Sequence, residues 1–126
     1  MSNASDRGGA AGGVQEIEPR DAWQRLTATP GDGPAPALMD VRETWEYAGG
    51  HARGAVSIPL SEFRERLGEV PRDRDVLFIC HVGERSMMAA RFAHQQGVPH
   101  VFNVAGGTDA WQAQGLPMDG AGSETR

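Results

Sequence analysis

Three observations predict an α/β fold with a central, mostly parallel five-stranded sheet and helices on both faces. Short apolar runs alternate along the chain with segments of helical period, the pattern of consecutive βαβ units. The clearest strand, Val76–Ile79, is followed across one short loop by the clearest helix, Arg85–Gln96. The chain has 126 residues, which is one domain and enough to bury a core without disulfide or metal staples. In such sheets a ligand site lies beyond the carboxyl ends of the strands.

The elements follow in order. Met1–Gly13 is rich in Gly, Ala, Ser and Asn, lacks any period, and reads as a disordered segment; Met1-Ser2-Asn3-Ala4 resembles an expression scar. Residues 14–120 form the domain. Val14–Ile17 reads as a short strand, and Pro19 suits the first turn of a helix in which Ala22, Trp23 and Leu26 recur on one face. Thr29–Pro36, dense in Pro and Gly, is a loop. Ala37–Val41 is a buried strand, Glu43–Ala48 one or two helical turns stopped by Gly49-Gly50, and Ala55–Ile58 a strand closed by Pro59. Ser61 would cap a helix over Glu62–Leu67. Met88, Ala89, Phe92 and Ala93 share one side of the helix after Val76–Ile79, which Gly97 ends. Val101–Val104 is a strand, Thr108–Gln114 a last helix before Gly115 and Pro117, and residues 121–126 a flexible polar tail. No internal repeat is present.

Composition excludes several classes. The 12 basic residues are all Arg, and 17 acidic residues leave a net charge of −5, against a nucleic-acid binder with its basic face. No apolar stretch approaches the roughly 20 residues of a membrane span, and the N-terminus lacks the apolar core of a signal peptide. The expectation is a cytoplasmic protein with neither nucleic acid nor membrane as partner. A single cysteine rules out an internal disulfide framework and a multi-thiolate zinc site. Four scattered histidines, His51, His81, His94 and His100, make no metal set, and no cofactor motif occurs.

Cys80 is then either a small buried hydrophobe or a reactive thiol, and its setting favours the thiol. It ends the best strand, before the loop His81-Val82-Gly83-Glu84 and the helix opening at Arg85-Ser86. A loop of this form can curl so that its backbone N–H groups face inward, an anion-binding nest reinforced by the positive end of the helix. Gly83 would supply the positive φ of such a curl. Cys80 would lie at its base, where donors stabilise a thiolate. Arg85 adds a fixed positive charge or anchors the loop.

Four ordered segments complete the pattern. Asp40-Val41-Arg42 with Glu46-Tyr47 resembles "DVR…EY"; Gly49–Ala55, running into Ser57-Ile58-Pro59, resembles "GHIPGA"; Cys80–Ser86 resembles "CxxGxRS"; Ala105-Gly106-Gly107 through Ala110-Trp111 and Gly115-Leu116-Pro117 resembles "GG…AW…GLP". Together they resemble the single-domain rhodaneses, a sulfurtransferase family. The resemblance implies a rhodanese-like fold and a double displacement. The Cys80 thiolate takes sulfane sulfur from thiosulfate or a persulfide donor, carries it as a persulfide, and yields it to a thiol acceptor, small or protein. Splitting the transfer this way is nucleophilic catalysis, and preorganised donors stabilise the charge in both stages. His81, Val82, Gly83, Glu84, Arg85 and Ser86 would form the anion-binding loop. Asp40, Arg42, Glu46 and His51 would be structural neighbours, with Arg42 paired to Glu46 and His51 holding a turn.

Two departures from the family pattern stand out. Ala52-Arg53 replaces an Ile-Pro pair, and Glu84 sets a carboxylate in the loop, harmless if it points to solvent. Trp23, Trp45 and Trp111 read as core or half-buried packing, and Met87-Met88 as helix packing. Two other readings remain. A cysteine phosphatase or arsenate reductase on the same fold carries five residues between Cys and Arg, whereas four stand here. A non-enzymatic rhodanese-like binding module commonly lacks the cysteine.

Overall fold

The computed structural model describes residues 13–28, 31 and 33–120. The segment expected to be disordered, apart from Gly13, and the tail 121–126 lie outside the described residues. The elements are β1 (Val14–Ile17), α1 (Pro19–Thr27), β2 (Ala37–Asp40), α2 (Thr44–Ala48), β3 (His51–Ala52), β4 (Val56–Ser57), β5 (Val76–Ile79), α3 (Glu84–Gln95), β6 (Val101–Val104), α4 (Gly107–Ala113) and β7 (Met118–Asp119).

Five strands form one sheet in the order β1-β6-β5-β2-β4, and every pairing in it is parallel. The two central strands β5 and β6 are buried along their whole length. That is why β5 reads as a continuous apolar run and β6 as one broken only by Asn103. Side-chain alternation then splits the core in two. On one face Val76, Phe78, Cys80 and Val101 pack with Ala89, Ala90 and Ala93 of α3, joined by Phe63 and Val70. On the other, Leu77, Ile79, Phe102 and Val104 meet Ala22 of α1 and Trp111 of α4. Trp111 is fully buried, stands edge-on to Trp23 at 6.0 Å, and donates its indole N–H to the Pro117 carbonyl at 2.8 Å. A buried Trp with its N–H satisfied is worth about 3–5 kcal/mol against alanine.

Three local expectations are corrected. The helix expected over Glu62–Leu67 is two separate 3-10 turns, Leu60–Glu62 and Leu67–Glu69. The Ser61 hydroxyl caps neither, because it donates to Glu43 Oε1 at 3.2 Å. Met88 stands 59% exposed, and it is Met87 that packs on the core. Trp45 is 76% exposed, since the five-residue α2 buries none of its residues.

A two-stranded antiparallel sheet, β3 with β7, was not foreseen. It ties the chain end to the turn after α2 and absorbs the unusual Ala52-Arg53 pair. Ala52 is buried, and Arg53 reaches Asp119 at 3.0 Å. Among the described residues, no helix is long and apolar enough to cross a membrane.

Candidate active site

The carboxyl ends of β2, β5 and β6 bring the motifs together. Cys80 follows β5 directly and is 1% exposed. The Gly83 N–H donates to its sulfur at 3.1 Å, and the Ser86 hydroxyl lies 3.3 Å from it. Gly83 holds φ +112°, a left-handed conformation that turns its N–H inward and that side chains resist. The loop runs into the N-terminus of α3, whose unpaired amides favour negative charge nearby.

The other loop residues are placed differently. His81 and Val82 are exposed on the rim, and Glu84 points to solvent in the first turn of α3. Arg85 grips Glu46 with both ends of its guanidinium, at 2.8 and 3.0 Å, and its charge is still felt at Cys80. Its role is to tie α3 to α2.

This overturns the expected Arg42–Glu46 pair. Arg42 is buried and forks onto the buried Asp40, with Nε–Oδ1 3.1 Å and Nη2–Oδ2 2.9 Å, while Nη2 also donates to the Gly50 carbonyl at 2.7 Å. Asp40 further accepts the Arg42 backbone N–H at 2.9 Å. A partner two residues away on the same strand end outcompetes one on the next helix. Glu46 is left for Arg85, and it also accepts the Glu43 backbone N–H at 2.9 Å. The His51 ring stacks on Tyr47 at 3.7 Å and its Nδ1 meets the Tyr47 carbonyl at 2.8 Å.

The Arg85 hydrogen bonds pull the Glu46 carboxyl down from 4.5 to about 2, against a smaller opposing push from burial. Its folded pKa lies below the unfolded one, so its stabilisation is present above about 4.5 and is lost as pH falls toward about 2. Glu46→Gln is expected to flatten the acid limb of a plot of thermal midpoint against pH. An unchanged acid limb would mean that other carboxylates carry it.

Two features of the site escaped the sequence reading. The first is how the Gly106-Gly107 turn serves the loop. The Thr108 N–H donates to the Cys80 carbonyl at 2.7 Å and the Asp109 N–H to the His81 carbonyl at 3.0 Å. The Cys80 and His81 carbonyls are thereby held away from the loop's interior, where the Gly83 N–H meets the sulfur. The second is Asn103, 3% exposed in the middle of β6. A lone amide inside the run Val101–Val104 was the available signal, since a buried polar group needs partners. Beside the loop opens a cleft of about 450 Å³ lined by His81, Trp45, Glu46, Thr108, Asp109 and Gln112, among others.

Strand order, loop and paired glycine turn together define a rhodanese-type scaffold rather than a generic α/β domain. The family profile "Rhodanese-like domain" matches residues 19–114, and the chain belongs to that family. It is 37% identical over 105 residues to a protein named "Sulfurtransferase" from Allochromatium vinosum, covering 83% of this chain and 94% of that one. It is 32% identical over 106 residues to "Thiosulfate sulfurtransferase GlpE" of Actinobacillus pleuropneumoniae, covering 84% and 94%. Among solved structures, a rhodanese-related protein from Thermoplasma volcanium superposes with a TM-score of 0.72 at 32% identity, covering 82% of this chain and 96% of the other.

Proposed function

We propose that this chain is a sulfurtransferase that carries sulfane sulfur as a persulfide on Cys80. The observation that carries the reading is the sulfur itself, buried at the base of a loop that aims the Gly83 N–H and the Ser86 hydroxyl at it. The Cys80 thiolate attacks the outer sulfur of thiosulfate. The new S–S bond forms as the old one breaks, and sulfite leaves with the electron pair. An acceptor thiolate then attacks the terminal persulfide sulfur, forming its own persulfide and returning Cys80 as thiolate. Negative charge sits at or next to the Cys80 sulfur throughout, where preorganised donors stabilise it. The donors in contact with the sulfur are neutral, the Gly83 N–H and the Ser86 hydroxyl, and the helix terminus and the Arg85 charge, itself paired to Glu46, add to them at longer range. The cleft beside His81 and Trp45, next to the loop, is the docking place this reading gives the acceptor. The names of the relatives, a thiosulfate sulfurtransferase among them, support thiosulfate as donor.

The test is intact mass of the reduced protein after thiosulfate. A gain of one sulfur atom, reversed by cyanide with release of thiocyanate, is expected. No gain with thiosulfate, polysulfide or a protein persulfide would overturn the reading.

A further inference from the structure

Cys80, Asn103 and Glu16 stand on one face of the sheet, on or just beyond the ends of β5, β6 and β1. Phe78 pairs with Asn103 and Asn103 with Glu16 across the ladder. Every polar atom of the Asn103 amide is used. Its Oδ1 accepts from the Ser86 hydroxyl. Its Nδ2 donates to the Gly83 carbonyl at 3.2 Å and to Glu16 Oε2 at 3.3 Å. An amide with one acceptor and two donors so engaged has a single orientation.

Two of those partners, Gly83 and Ser86, touch the sulfur. The Gly83 residue gives its N–H to Cys80 and its carbonyl to Asn103. Ser86 lies 3.3 Å from Cys80 and at hydrogen-bond distance from Asn103. Ser86 has one proton and two acceptors within reach. With Cys80 as thiol, Ser86 donates to Asn103 and accepts from the S–H. With Cys80 as thiolate, turning that proton to the sulfur would leave Asn103 Oδ1 without a donor, so the donor that Asn103 keeps aimed at the charged sulfur is the Gly83 N–H, whose peptide it holds by the carbonyl.

We propose that Asn103 is a positioning residue for the Cys80 sulfur: anchored by Glu16, it holds the Gly83 peptide so that its N–H stays aimed at the sulfur, and it fixes the Ser86 oxygen beside it. The inference rests on the reading of Cys80 as nucleophile but not on thiosulfate as donor. An apolar residue at this strand position would serve the core better, since its neighbours there, Val14, Val101 and Phe78, are apolar. A buried amide is costly unless fully bonded.

The test reads the thiolate directly, by the pH dependence of Cys80 alkylation with iodoacetamide. The charged groups around the site are His81, Glu84 and Arg85 on the loop and α3, Asp40, Arg42 and Glu46 at β2 and α2, Asp109 on α4, and Glu16 on β1. All of them persist in Asn103→Leu, so a change there reports the amide. Asn103→Leu is expected to slow alkylation near neutral pH by about tenfold while reaching the native rate at high pH, because hydrogen bonds to a charged sulfur are loosened. Val101→Ala, buried on the same strand face, is the control for general loosening and should keep the native profile. If Asn103→Leu fails to fold, Asn103→Ala reads the same profile. A native profile in the Asn103 variant, or an equal shift in Val101→Ala, would overturn the proposal. Alkylation involves no sulfur transfer. A shifted profile in a protein that takes no sulfur would therefore keep the role of Asn103 and sink the sulfurtransferase reading alone.

Discussion

Cys80→Ser is expected to abolish sulfur loading and transfer completely, to the background of the reagents. No other thiol exists in the 126-residue chain to take over. A serine hydroxyl is a weak nucleophile without an adjacent general base, and the groups contacting this position, the Gly83 N–H and the Ser86 hydroxyl, supply none. The fold should survive. Serine is close in size, and the same donors satisfy its oxygen, so the stability change is expected within about 1 kcal/mol. Steady-state thiocyanate formation and thermal unfolding of the two proteins, side by side, check this. Residual transfer in the variant would remove Cys80 from the chemistry. A variant that loses all transfer yet keeps full biological activity would favour the binding-module reading. Hydrolysis of an aryl phosphate by the native protein, with no sulfur uptake, would favour the phosphatase reading despite the short loop.

The second large effect is Gly107→Ala. Gly107 has φ +62°, which costs an L side chain about 1–2 kcal/mol. A Cβ there would also come within 2.5 Å of the Cys80 carbonyl oxygen and closer still to that of His81. Neither oxygen can retreat, because each accepts a hydrogen bond from the turn itself. Overpacking of this kind adds about 1–3 kcal/mol. A thermal midpoint lower by on the order of 10 °C or more follows for a domain of this size. Displacing the loop by even 1 Å is expected to lower the transfer rate by about 100-fold. Gly115→Ala is the comparison. Gly115 also has positive φ, +74°, but open space around it, so it should show the backbone strain alone and retain activity. Equal losses in the two variants would show that close packing against the loop is not what the paired glycines provide.

The legibility of the site follows from the range of the interactions. The motif Cys80–Ser86 was readable because a strand, a glycine turn and a helix start are local events, each marked by residue type. Asn103 was hidden because its partners lie 17, 20 and 87 residues away. The Arg85–Glu46 grip spans 39 residues, and only the folded chain brings the two side chains within reach while Asp40 holds Arg42. The 3-10 turns around Phe63 and the exposure of Trp45 and Met88 went astray for a related reason. Short amphipathic segments state that a face is apolar, but not which neighbour covers it.

Residue pattern alone placed the strands β1, β5 and β6 with the ends the structure gives them, the helices that follow them to within a residue or so, and the lone cysteine at a strand's carboxyl end. Periodicity and glycine placement are properties of the chain, so they could be read from it. Three features exist only in the folded chain: β3 pairs with β7, Asp40 rather than Glu46 holds Arg42, and the residues after the Gly106-Gly107 turn fasten the Cys80 and His81 carbonyls. Two-residue strands carry no period. A charged or amide side chain chooses its partner by distance and burial, and these exist only once the sheet has brought its strand ends together.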